Sequence, residues 1–116
     1  MTSDVVVLCR VDEVTDAQPL GIDREGLPPI AVYKVGDEYL ATSNVCTHSY
    51  ALLSEGFQED DEIECAVHGG RFDIRTGEAA AFPCDEPLRT YPVTVIDGAL
   101  TVPAAAVWPA SGTERD

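Results

Sequence analysis

Apolar residues fall along this chain in short runs, broken by glycine, proline, asparagine and aspartate at intervals of roughly eight to twelve residues. The run "VVVLCRV" (residues 5–11) reads as a buried strand, and "IAVYKVGDEYLATSNV" (30–45) reads as two strands around a Gly36-Asp37 turn. The same β-branched and aromatic pattern returns in "EIECAV" (62–67), in "GRFDI" (70–74) and in "TYPVTVIDGALTV" (90–102), the last with Asp97-Gly98 as a hairpin turn. No stretch carries an apolar face at a period of 3.6, and "AQPLGIDREGLPP" (17–29) holds too much proline and glycine for a long helix. The pattern predicts an all-β chain, built as an antiparallel β-sandwich or small barrel.

Residues 44–85 differ from their flanks. They contain both histidines, three of the four cysteines and a pair of adjacent glycines. We read them as a small subdomain inserted into a β base formed by residues 1–43 and 86–107, within one domain spanning residues 1–116. The tail "PASGTERD" (109–116) has only small, turn-type and charged residues and is expected to be mobile. At 116 residues the chain supports one modest core.

Seven basic residues against 21 acidic ones give a net charge of −14. That balance argues against a nucleic-acid backbone or an anionic membrane surface as partner; it is consistent with a protein partner that has a basic face and equally with an acidic surface that serves only solubility. No apolar run approaches the roughly 20 residues that cross a bilayer. The first residues, "MTSDVVVLCRVDEV", lack the basic start and long apolar centre of a targeting peptide, so the cytoplasm is the expected compartment. There, cysteines interleaved with histidines point to metal ligation or catalysis rather than to disulfides.

The candidate chemistry lies in the spacing Cys46-x-His48, sixteen intervening residues, then Cys65-x-x-His68. Each half supplies one thiolate and one imidazole, and Gly69-Gly70 lets the second half turn sharply after its ligands. Zinc is one candidate, since two cysteines and two histidines satisfy a tetrahedral site; the common zinc patterns, however, pair like ligands at short spacing, whereas each half here mixes them. A zinc-stabilised interaction module therefore stays open as an alternative.

The motifs "CTH" (46–48) and "CAVH" (65–68), with "HGGRFDIRTGEAAAFP" (68–83), resemble those of the Rieske [2Fe–2S] proteins, and the likeness extends over about residues 5–103. It is strongest to the small ferredoxins of bacterial aromatic-ring-hydroxylating dioxygenase systems. The resemblance implies a Rieske-like base with a cluster-binding insert and one [2Fe–2S] cluster per chain, with Cys46 and Cys65 on one iron and His48 and His68 on the other. It implies an electron carrier rather than an enzyme, with a flavoprotein ferredoxin reductase using NAD(P)H as donor and a terminal Rieske non-haem iron oxygenase as acceptor. A monomer is expected of a shuttle that meets both partners at one exposed tip. A second alternative within the same fold is the small subunit of an assimilatory nitrite reductase, whose members often lack ligands that are all present here.

Mixed ligation has a physical sense. Replacing two thiolates by two neutral imidazoles removes two negative charges, so an added electron is accepted more easily. Departures from the high-potential members place this chain low in the Rieske range. Ala51 and Val67 stand where those members carry a loop-bridging disulfide, and Gly70 and Phe72 stand where they carry hydroxyl donors to the cluster. A midpoint potential of about −150 mV is predicted; voltammetry giving a value well above zero would contradict it.

Other residues carry plainer expectations. Cys9 is read as core, Cys84 as a packed thiol, Pro83 as a turn residue that matches the segment covering the cluster in the resembled family, and Trp108 as a clamp on the last strand. Tyr33, Tyr39, Phe72, Phe82 and Tyr91 are read as packing. The acidic run "QEDDEIE" (58–64) is read as a solvated hairpin tip, with a docking role for Glu59, Asp60, Asp61 and Glu62 as the sharper alternative.

Overall fold

A computed structural model describes residues 4–16, 18–47, 51–67, 69–81 and 86–107. His48, His68, Phe82, Pro83, Cys84, Trp108 and the tail at 109–116 lie outside the described residues.

Three antiparallel sheets build the fold. The first joins β1 (Val5–Arg10) to β11 (Ala99–Pro103) and β10 (Thr94–Ile96). The second runs from β2 (Leu20–Ile22) through β3 (Ile30–Val35) and β4 (Glu38–Ser43) to β9 (Thr90–Tyr91). The third runs β5 (Phe57–Glu59), β6 (Glu62–Glu64), β7 (Arg71–Asp73), β8 (Ala79–Ala81). A single turn of helix, α1 (Ala104–Val107), follows β11. The all-β expectation holds. Its barrel variant does not, because each sheet, among the described residues, runs open from edge to edge. No helix among those residues is long and apolar enough to cross a membrane.

The second sheet is covered on both faces. Ile30 and Val32 of β3 join Leu8, Leu100 and Val102 in one core, while Ala31 and Tyr33 of the same strand join Ile63 and Phe72 of the third sheet in another. This double burial explains why "IAVY" reads as an unbroken apolar run instead of an alternating one. The third sheet therefore rests directly on β3, and burying a side chain such as Phe72 there contributes about 1.5–3 kcal/mol. The Tyr33 hydroxyl, deep in that core, donates to Thr42 Oγ1 at 2.8 Å, which in turn donates to the Ser43 carbonyl at 2.8 Å. Burial raises the Tyr33 pKa well above its ordinary value and keeps the phenol neutral.

Strand ends differ from the sequence reading for local reasons. β1 stops at Arg10 because its N–H turns to Glu13 Oε2 at 3.0 Å, opening a 3-10 turn over Val11–Glu13. The stretch 90–102 is not one hairpin but three strands. Pro92, which has no N–H to give a ladder, separates β9, paired with β4, from the β10–β11 hairpin. Asp97 and Gly98, at φ of 52° and 79°, make the predicted turn of that hairpin. Three short strands, β2, β5 and β8, are additions that the sequence pattern does not announce. β2 is accepted next to β3 because Gly21 leaves room for Ser54, whose Oγ would lie 2.7 Å from a Cβ at that position.

Candidate metal centre

Each cysteine of the predicted ligand set stands at the neck of a loop. The first loop leaves β4 and is closed by Asn44. Its Oδ1 accepts the Ser54 N–H at 2.7 Å, its Nδ2 donates to Ser54 Oγ at 3.0 Å, and its carbonyl accepts the Leu53 N–H at 2.8 Å. Asn44 is buried and also donates its own N–H to the Pro29 carbonyl at 3.0 Å, which ties the neck to the base of the fold. One step further in, the Cys46 N–H donates to the Ala51 carbonyl at 2.8 Å. Thr47 Oγ1 reaches the Glu86 carbonyl at 2.9 Å.

The second loop is the end of the β6–β7 hairpin. Glu64 and Arg71 form its last paired rung, beyond which the Cys65 N–H donates to the Gly70 carbonyl at 2.8 Å and the Gly69 N–H to the Cys65 carbonyl at 3.0 Å. Gly69 has φ +74°, a left-handed conformation that L side chains rarely adopt, so the tight return to β7 depends on a glycine there.

Cys46 and Cys65 are both buried, and both belong to the apolar group that contains Leu53, Ile63, Phe72 and Leu88. The fold thus brings together two cysteines that are nineteen positions apart in sequence, each on a loop that carries a histidine two or three residues later. His48 and His68 themselves lie outside the described residues. The other cysteine described, Cys9, is buried in the opposite core, between the first and second sheets. Burial, with the Glu13 carboxylate adding to it, pushes its thiol up to about 11, so at neutral pH it is an inert packed thiol, as expected from sequence.

Three residues of this region escape the sequence reading: Asn44, Ser54 and Arg71. Arg71 donates through Nη1 to Glu59 Oε1 at 2.9 Å and Glu62 Oε1 at 3.3 Å, and through Nη2 to Glu64 Oε1 at 3.1 Å. Those carboxylates raise its pKa further above the ordinary arginine value. The acidic run is therefore only partly a solvated tip. Asp60 and Asp61 form the β5–β6 turn, with Asp60 at φ 55°, while Glu59 and Glu62 are held by Arg71. A signal is present in the sequence, since Arg71 and Arg75 are the only arginines in 44–85, which holds no lysine, and they follow the acidic run directly across the second loop.

The donor types fit an iron–sulfur group: two cysteines with soft sulfur donors are buried in one apolar cluster, each followed in sequence by a histidine two or three residues later. The family model described as the Rieske [2Fe-2S] domain matches residues 4–92, and the chain belongs to that family. It accordingly carries a [2Fe–2S] cluster. The ferredoxin component of a p-cumate 2,3-dioxygenase system from Pseudomonas putida is 44% identical over 105 residues, 90% of this chain and 89% of that protein. Among solved structures, a ferredoxin of Sphingomonas yanoikuyae B1 is 47% identical with a TM-score of 0.82, covering 84% of this chain and 96% of that one. A complex of reduced oxygenase and oxidised ferredoxin in carbazole 1,9a-dioxygenase contains a chain 38% identical, with a TM-score of 0.81, covering 89% of this chain and 95% of that one.

Proposed function

We propose that this chain is the ferredoxin component of an aromatic-ring-hydroxylating dioxygenase system, a cytoplasmic, monomeric carrier of single electrons and not itself an enzyme. Cys46 and Cys65 hold the inner iron through sulfur, and His48 and His68 hold the outer iron through one ring nitrogen each. Residues 44–85 form the cluster-binding insert, and residues 1–43 and 86–107 form the base. The observation that carries this reading is the placement of Cys46 and Cys65, from two separately closed loops, in one buried apolar group.

A bound [2Fe–2S] cluster supplies a one-electron couple, made easier to reduce by its two neutral ligands. The chain's own residues hold and insulate it. Leu53, Ile63 and Phe72 are fully buried beside the cysteines and keep water from the sulfurs. The hydrogen bonds at both necks hold the loops in one arrangement, which keeps reorganisation small when charge arrives. Two surface clefts, of about 460 and 440 Å3, are lined among the described residues by Asp16 and Lys34 or by Tyr39 and Thr90 and their neighbours, none of them Cys46 or Cys65.

The similarity to a ferredoxin seen in complex with its oxygenase supports a terminal Rieske non-haem iron oxygenase as acceptor, and the donor of the proposal is an NAD(P)H-dependent flavoprotein ferredoxin reductase. Two measurements test the proposal. Electron paramagnetic resonance of the dithionite-reduced protein is expected to give the lowered average g of mixed nitrogen and sulfur ligation. Added to such a reductase and oxygenase, the protein is expected to raise oxygenase turnover. A four-sulfur average g would refute the ligand assignment, and turnover unchanged by the protein would refute the carrier role.

A further inference from the structure

One guanidinium serves three carboxylates at the neck of the second loop. Arg71 is paired with Glu64 across the β6–β7 rung that immediately precedes the Cys65–Gly70 hydrogen bond, and it reaches over to Glu62 and Glu59 on the same face. The remaining oxygen of Glu64, Oε2, lies 3.6 Å from where a Cβ on Gly69 would stand, so this carboxylate leans over the loop that follows Cys65. With Arg71 present the four side chains sum to two negative charges; without it they sum to three, in a chain already at −14. An electron placed at the loop adds to that negative charge.

We propose that Arg71 acts on the cluster electrostatically, through its charge at the loop neck. By partly neutralising the acids at the loop neck it favours the reduced form, and thereby raises the reduction potential. This rests on the assignment of Cys65 and His68 as ligands. Because the Arg71 side chain and its partners are partly exposed, the effect is of the size of a screened charge and fades with salt.

The test is a redox titration of the loaded protein, wild type against Arg71→Met, Arg71→Lys and Glu64→Gln, at low salt and at high salt. At low salt Arg71→Met is expected to lower the equilibrium constant for reduction about threefold, or about 28 mV at 59 mV per tenfold for one electron. Arg71→Lys, which keeps the charge and loses the three-way fork, is expected to restore it, and Glu64→Gln to shift it the opposite way even should Arg71→Met bind its cluster poorly. High salt is expected to shrink every difference. Wild-type protein that shows the mixed-ligand resonance while all variants titrate alike, or with Arg71→Lys displaced as far as Arg71→Met, overturns this inference alone. Wild-type protein without that resonance overturns the ligand assignment and this inference with it.

Discussion

Serine in place of Cys46 or Cys65 is expected to give a chain without the visible absorption of the wild type, even after anaerobic reconstitution. Both side chains are buried in one apolar cluster, so a hydroxyl put there brings a hard, weakly acidic oxygen where the proposed assignment needs a thiolate. Removing a group that merely orients a ligand costs about 10–100-fold in metal affinity, and removing the ligand itself costs more. Alanine at His48 or His68 is expected to act in the same direction. The serine substitution also buries an extra polar group, at about 1–3 kcal/mol, so loss of colour alone would not separate ligation from instability. Cys9→Ser supplies the comparison, since Cys9 is also buried but packed in the opposite core. That variant is expected to melt at a lower temperature and keep its absorbance per chain. If Cys46→Ser or Cys65→Ser retained the chromophore, or if Cys9→Ser lost it to the same extent, the assignment of the inner iron would be wrong.

Much of this architecture was legible because it depends on patterns within a few residues. The run Ile30–Val35 reads as a strand from its own composition, and the Asp97-Gly98 turn from the residues that accept positive φ. The two Cys-His motifs are likewise local, and their mixed order already separates them from common zinc sites. What could not be read depends on partners distant in sequence. Ala79–Ala81 has no strand preference of its own and forms β8 only because β7 offers it an edge. Asn44 looks like an ordinary turn residue until Ser54 is brought against it, and Arg71 looks like one solvated cation until the β5–β6–β7 register aligns three acids with it. The acidic run is read only in part for the same reason: its hairpin tip is found at Asp60 and Asp61, but charge along a sequence does not tell which carboxylates a neighbouring strand will neutralise.

Gly56→Ala is expected to be among the most damaging changes outside the proposed ligands, by about 3 kcal/mol, a size reached when a well-packed site is overfilled. Gly56 has φ of −89°, which any residue can adopt, so conformational freedom is not what the position requires. It requires space: a Cβ there would stand 2.1 Å from the Glu64 carbonyl oxygen and 3.2 Å from that of Leu53. Backbone is met on both sides, so no side chain can swing away. Relief must come from shifting Glu64, and Glu64 is joined to Cys65 on one side and paired with Phe57 and Arg71 across the sheet. The damage is therefore expected in two readouts, a melting temperature lowered by more than about 10 °C, at 4–8 °C per kcal/mol for a domain near this size, and a reduced absorbance per chain. Gly36→Ala is the control with the opposite character, a φ of +61° and open space around the Cβ, for which left-handed strain alone predicts about 1–2 kcal/mol and full cluster content. A Gly56→Ala protein as stable as Gly36→Ala and equally coloured would show that the neck of the second loop has slack the packing does not reveal, and would weaken the claim that its closure holds Cys65 in place.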